Sequence, residues 1–326
     1  VNQTLAIAIP THNRFAILRE NLLELLPELI ETGVTVHISD SGTNDETQAG
    51  IGELQRAWAG ISYRRSPKGL AYDGNCLSAL GMPSTTYVWY LADSLRILPG
   101  GVKRVLAALE ATPCDFAAVN LVKRGPVDLP AGLHRDATTL LERMAWHLTL
   151  AGATIYAREH LADLEARYGK FVGSNFSHLG IIMERLPGCR RGLLWIDETW
   201  LAGNPRRKST WAARTIEIFA RDWAAFVFSL PEAYPQASKL VAIRSHSLKT
   251  GLLEWKSIGR LRRKGFIDRA QVRRFEPSLR LASGVPYPAI ELLAGVPRWL
   301  ASPLALLARW GARLARLARP GAAGGR

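Results

Sequence analysis

Long apolar runs are missing from this 326-residue chain. No stretch of about 18 uncharged apolar residues occurs, which excludes a helix that spans a bilayer. Cysteine is scarce as well. Cys76, Cys114 and Cys189 lie far apart and have none of the paired spacings of a zinc site or a redox dithiol. A disulfide-stapled domain is therefore excluded, and a reducing, cytoplasmic setting is expected. The opening residues lack a charged region followed by an apolar one, and Pro10 and His12 break the first apolar run, so no signal peptide is expected. The first loop has no glycine-rich phosphate-binding segment, which argues against nucleotidyl transfer.

What is present is enough apolar material for a large core. With 48% hydrophobic and 21% charged residues, the chain is neither disordered nor fibrous. Its length fits one large α/β domain with a helical extension. Charge is unevenly placed. Residues 1–200 carry 19 basic against 21 acidic side chains, and residues 201–326 carry 23 against 7. The basic character of the C-terminal part points to a polyanionic partner, either nucleic acid or an anionic membrane surface, or to a solvated charged face.

Short apolar runs alternate with helix-period segments over the first 120 residues. Strands are expected at 5–9, 34–38, 61–64, 86–91 and 116–121. Helices are expected at 15–30, 47–59, 70–80 and 99–111, the first with Leu18, Leu22, Leu25, Leu26 and Leu29 on one side. Such alternation predicts a mostly parallel sheet with helices on both faces. Ligands of these sheets bind at loops leaving the carboxyl ends of the strands. Three such loops are polar: Pro10-Thr11-His12-Asn13-Arg14, Ser39 through Asp45, and Ala92-Asp93-Ser94. Asp40 and Asp93 each follow a strand, where a carboxylate reaches a ribose hydroxyl, a base N–H or a cation. Helix capping by Asp45 and Thr47 and a turn at Asp93 are the plain alternatives.

In order, these motifs resemble the family 2 glycosyltransferases of the GT-A, Rossmann-like fold. Ile7 through Arg14 is similar to that family's opening "IPTYNR", and Ile38 through Thr47 to its "VsDngStDgT" segment. Lys68-Gly69-Leu70 with Asn75 falls at its "G…N" element. Tyr87 through Ser94 with Pro99-Gly100-Gly101 is similar to the segment holding the metal-binding carboxylates. The resemblance covers about residues 1–200 and is most like transferases that build O-antigen and related surface glycans, abequosyltransferase-like proteins among them. It implies a nucleoside-diphosphate sugar held by Pro10, Thr11, Asn13, Arg14, Asp40, Lys68, Gly69, Asn75 and Asp93. Asp93 then binds Mg²⁺ or Mn²⁺, which stabilises the leaving diphosphate. The chain departs from the pattern here: Asp93-Ser94-Leu95 keeps one carboxylate where the family has two or three in a row, so Arg96, Lys68 or Arg14 enters as an alternative source of positive charge.

Inverting transfer also needs a base for the acceptor hydroxyl. By analogy the base sits in the loop Gly173 through Leu179, where His178 is the titratable group, while Asp197 and Glu198 compete for the role or contact the acceptor. The alternative for His178 is packing at a helix start.

Two regions are expected: residues 1–205 as the nucleotide-sugar-binding, catalytic domain, and 206–326 as a basic helical extension. An apolar helix is expected over 211–230, packed on the first domain, then a helix over 236–255 and a basic cluster from Lys256 to Arg274. At 100° per residue, Trp299, Leu306, Leu307, Trp310, Leu314 and Leu317 share one arc, opposite Arg309, Arg313, Arg316 and Arg319. This composition suits a helix lying in the interface of an anionic membrane, with packing on its own domain as the alternative. A disordered tail is expected after Pro320. The expected protein is a peripheral transferase on the inner face of the cytoplasmic membrane. It takes a nucleotide sugar and a glycan or polyprenyl-diphosphate-linked acceptor, and no nucleic acid. A non-catalytic nucleotide- or glycan-binding protein on the same fold is the alternative.

Overall fold

The computed structural model describes residues 2–67, 70–207 and 209–317. Lys68 and Gly69, the tail after Pro320 and the side chains beyond Trp310 lie outside what is described. The first half runs β1 (Leu5–Thr11), α1 (Phe15–Thr32), β2 (Thr35–Asp40), α2 (Glu46–Ala57), β3 (Ile61–Arg65), α3 (Tyr72–Leu80), β4 (Tyr87–Tyr90), β5 (Leu95–Ile97), α4 (Gly101–Ala111) and β6 (Phe116–Leu121). There follow β7 (Gly132–His134), α5 (Ala137–Arg143), α6 (Ala145–Leu148), β8 (Thr154–Ala157), α7 (Leu164–Tyr168), α8 (Ser177–Arg185) and β9 (Leu193–Gly203). The later helices are α9 (Trp223–Phe228), α10 (Gln236–Thr250), α11 (Trp255–Arg263), α12 (Arg269–Arg274), α13 (Glu276–Ala282), α14 (Tyr287–Gly295) and α15 (Arg298–Leu317).

Nine strands form one sheet in the order β3-β2-β1-β4-β8-β6-β9-β5, with β7 on β9. β1, β2, β3 and β4 pair in parallel, and β8 is inserted antiparallel between β4 and β6. β6 and β9 then run parallel again, while β5 and β7 pair antiparallel to β9. The sheet is thus mostly parallel, as expected, with β5, β7 and β8 reversed.

Alternation within β1 explains why both of its faces are covered. Leu5, Ile7 and Ile9 join one core with Leu18, Leu22, Leu25 and Leu29 of α1, Ile51 and Leu54 of α2, and Val102, Val105 and Leu109 of α4. Each such side chain taken out of water contributes about 1.5–3 kcal/mol. Ala6 and Ala8, equally buried, point the other way, and α3 contacts β1, β2 and α8. Strand order reverses between β1 and β4, so the carboxyl ends of these two strands flank the crevice where ligands of open α/β sheets bind.

By its internal contacts the chain divides into residues 1–208 with 228–242, and residues 209–227 with 243–326. The expected helix over 211–230 runs through a π-helix at Glu217–Asp222 into α9, and residues 209–227 group with the C-terminal unit. In that unit His246 stacks on Phe219 with ring centroids 5.0 Å apart and lies 5.3 Å from Trp223. α15 packs on α11 through small residues. A Cβ added to Gly259 would lie 2.7 Å from the Ala305 side chain and 2.9 Å from the Ala301 carbonyl, so glycine is what permits this approach. No helix among the described residues is long and apolar enough to cross a membrane.

Candidate active site

The loops leaving β1, β2 and β4 meet at the crevice. Asp93, three residues past β4, has a side chain 7% exposed. Its Oδ1 accepts from Arg14 Nη1 at 3.1 Å, and its Oδ2 accepts from the Thr11 hydroxyl at 3.0 Å. Burial pushes this carboxyl above the usual carboxylate range, against the pull of Arg14, Thr11 and the His12 N–H. Asn21 of α1 fixes the backbone beneath it, donating to the Asp93 carbonyl at 2.8 Å and the Leu95 carbonyl at 3.2 Å. Arg14 keeps 29% of its side chain exposed and so faces the solvent side of the pair.

Asp40 ends β2 and is wholly buried. Its Oδ1 accepts from the Gly42 N–H at 2.7 Å, and its Oδ2 from Tyr63 Oη at 2.9 Å and Arg65 Nη1 at 2.8 Å. These bonds shape the loop before α2. A Cβ on Gly42 would come within 2.8 Å of both Asp40 Oδ1 and Asn13 Oδ1, so the loop closes only around glycine. Asn13, at φ 52°, accepts from the Thr43 N–H and donates to its hydroxyl, tying the first loop to the second. Pro10 is a buried strand residue of β1, without a side-chain donor or acceptor.

Asn75, on α3, braces the same edge from below. Its amide donates to the Thr11 carbonyl at 3.0 Å and to the Ser41 hydroxyl at 3.1 Å, and its oxygen accepts from Ser39 and Ser66. Two residues of the site, Asp73 and Asn21, stand outside the sequence motifs. Asp73, one position into α3, gathers the N–H groups of Gly173, Asn175 and Ser177 at 2.9, 2.8 and 3.1 Å. An acid in a first helical turn reads as a dipole partner and hides this role. Asn21 carried a better signal, a polar residue inside the apolar arc of α1.

His178 is not in an open loop. It sits in the first turn of α8, 1% exposed, with its ring stacked 5.5 Å from that of Tyr90. Among the described residues neither ring nitrogen reaches a partner at hydrogen-bond geometry, and burial lowers its pKa to about 4 against the pull of Asp73 and the nearby Leu148 and Thr149 backbone. The structure thus sets His178 as a packed ring at a helix start rather than in an open loop. Asp197 and Glu198 lie within β9 rather than at its end: Asp197 is exposed, and Glu198 accepts from Arg104 Nε at 2.8 Å and from Trp200 Nε1 at 3.1 Å. Arg96 turns to Glu24 at 3.0 Å.

A divalent ion has little to hold it here. One carboxylate is present, both of its oxygens are engaged, and Leu95 is a buried core residue. Among the described residues, one His/Cys/Asp/Glu group is close enough to share an ion: Asp115, His160 and Cys189. It lies at the opposite edge of the sheet, where Asp115 begins before β6 and clamps the turn ahead of β9 through the Arg191 and Gly192 N–H groups at 2.7 Å. The residues at Asp93 do not fit a resident metal.

Residues 6–163 match the sequence model of glycosyl transferase family 2. No curated protein matches the chain. Among solved structures it is similar to S. aureus TarS 1-349, at 16% identity and a TM-score of 0.54, over 94% of this chain and 92% of that one. The same TarS fragment in complex with UDP-GlcNAc aligns at 15% identity and 0.54, over 94% and 87%. The mannosyltransferase PcManGT from Pyrobaculum calidifontis, in complex with GDP-Man and Mn²⁺, aligns at 14% identity and 0.53, over 93% and 87%. At such identities the likeness is one of fold. Together with the family match, which runs from β1 past β8 and takes in the polar crevice loops, it makes residues 6–163 a glycosyl transferase family 2 region, on a chain with a GT-A-like fold.

Proposed function

We propose that the chain transfers a sugar, with inversion, from a nucleoside-diphosphate donor to a hydroxyl of a bacterial surface glycan or a lipid-linked oligosaccharide. The observation that carries this reading is the convergence of Thr11, Arg14 and Asp93 at the point where strand order reverses between β1 and β4. A guanidinium there meets the diphosphate, and the Asn75 and Asp40 networks hold the loops that frame the nucleotide. TarS with UDP-GlcNAc and PcManGT with GDP-Man support a donor of this chemical class.

The acceptor side of the reading rests on α15. Among its described side chains the buried positions are Ala301 and Ala305, while Trp299, Leu307 and Trp310 are 74%, 67% and 62% exposed. A helix that merely packs on its own domain buries its large apolar residues, and this one does the reverse. Lys256, Arg260 and Arg309 line one open cavity beside Trp255, giving the surface a positive rim. Tryptophan and leucine ringed by cations suit an anionic membrane surface, where a lipid-carried acceptor is presented. Leu314, Leu317, Arg313, Arg316 and Arg319 of the same expected arc fall outside the described side chains. A melting-temperature screen with UDP-, GDP-, CDP- and dTDP-sugars tests the donor reading. One class of donor should raise the transition, because a ligand of the folded state alone stabilises it. A flat response across the panel contradicts the reading.

A further inference from the structure

The electrostatics of Asp93 bear on how the leaving group is stabilised. A divalent site needs carboxylate oxygens open toward a common point. Here Asp93 Oδ1 already carries the Arg14 guanidinium at 3.1 Å, and Oδ2 carries the Thr11 hydroxyl at 3.0 Å. Where the family resemblance puts further carboxylates stand Ser94, whose carbonyl accepts from the Asn204 N–H at 3.0 Å, and Leu95, which is buried in the core. A second cation on Asp93 would sit against the first and be repelled by it. Of the three cationic candidates, Arg96 is turned to Glu24 and Lys68 lies outside the described residues. Arg14 is the one that the structure sets on the crevice, bonded to Asp93 and with 29% of its side chain exposed.

We propose that Arg14, seated on Asp93, balances the departing diphosphate in place of a resident divalent cation, so that transfer proceeds without metal. This rests on the nucleotide-sugar reading above. In the step itself the acceptor oxygen forms a bond to the anomeric carbon as the bond from that carbon to the diphosphate oxygen breaks. The electron pair leaves with the nucleoside diphosphate, and the hydroxyl proton passes to a general base. The guanidinium is a permanent charge in a planar fork whose shape matches a phosphate edge. Asp93 is then a positioning residue, and Arg14 the group that touches the donor.

The test measures binding of UDP, GDP, CDP and dTDP to the full chain by calorimetry, in excess EDTA and in excess MnCl₂. The nucleotide that binds should do so with the same Kd in both to within about threefold, and MnCl₂ alone should leave the melting temperature unchanged. Arg14→Ala should weaken binding by at least about tenfold, the scale of one charge-assisted hydrogen bond. Arg14→Lys, which keeps the charge but not the fork, should weaken it less. Should Arg14→Ala fail to fold, Arg14→Lys with a wild-type melting temperature carries the comparison. Binding more than about tenfold tighter with Mn²⁺, or wild-type affinity in the Arg14 variants, overturns the metal-free proposal and leaves the donor reading standing. Absence of nucleotide binding under both conditions overturns both.

Discussion

Asp73 of α3 accepts the backbone N–H of Gly173 at 2.9 Å, joining positions 100 residues apart. The same carboxylate holds Asn175 and Ser177, so the segment that leads into α8 is shaped from α3. Asn75, two residues further along α3, braces the loops after β1 and β2. One short helix therefore anchors both the crevice loops and the segment that leads into α8. Asp73→Ala leaves three N–H groups without this acceptor and should lower stability by about 3 kcal/mol, with a smaller loss for Asp73→Asn. Urea unfolding midpoints check this, and an unchanged midpoint in Asp73→Ala contradicts the clamp.

Removing the charge at the centre of the crevice has a different signature. Asp93→Asn keeps the shape of the side chain and its contact with Thr11 but loosens Arg14. Turnover should fall by about a hundredfold, the scale for misplacing the one group, Arg14, that stabilises developing charge, at nearly constant melting temperature. Steady-state kinetics on the folded variant decide it.

His178 is expected to behave as a core residue. Ala in its place leaves a cavity beside Tyr90 and should cost about 2–3 kcal/mol. His178→Phe keeps the ring and removes two unpartnered nitrogens, so stability should hold or rise and turnover should persist. A His178→Phe variant that folds with wild-type stability but has lost turnover would return His178 to the chemistry.

Buried histidines also set the response to acid. Burial lowers His147 to about 3 and His178 to about 4, below their unfolded value of about 6.5. The unfolded chain takes up these protons first, so the stability they allow is complete above about pH 6.5 and is lost as pH falls toward the folded values. Asp115 acts lower on the scale. Burial alone would raise it, but the Gly192 N–H, His160 and the Arg191 N–H hold it down, to about 2. Its contribution is present above the usual carboxylate value and disappears as pH falls through 2. Melting temperature should be flat near neutrality and decline steadily below pH 6.5. In His178→Phe the decline should be shallower.

On α15 the sequence pattern and the packing complement one another. Trp299→Ser with Trp310→Ser should weaken co-sedimentation with phosphatidylglycerol vesicles and leave the melting temperature unchanged, since both rings are exposed. Wild-type binding should also weaken with salt, because part of the attraction comes from Arg309, Arg260 and Lys256. Equal sedimentation of wild type and variant contradicts the membrane reading.

Local signals made much of this fold readable. β1, β4 and β6 are largely apolar runs bounded by turns, β2 alternates Val36 and Ile38 with polar residues, and α1 repeats leucine at helical spacing, so each is written in neighbouring residues. β5, β7 and β8 span three or four residues, too few for a period, and the reversal of β8 between β4 and β6 is decided by pairing with distant strands. At the crevice, Thr11, Arg14 and Asp93 stood in contiguous motifs, whereas Asp73 gains its role only when residues 173–177 fold onto α3. The burial of His178 is likewise tertiary, since a histidine at a helix start reads the same whether it faces a crevice or a core. For α15, composition exposed the amphipathic pattern, but only Gly259 on α11 shows that the alanine face is the buried one.

The most direct measurement is release of nucleoside diphosphate from a panel of nucleotide sugars, comparing wild type with Asp93→Asn. Wild type should release the diphosphate of one donor class, and Asp93→Asn should release nearly none. Release by both at the same rate, or by neither with any donor, contradicts a sugar-transfer site built at Arg14 and Asp93.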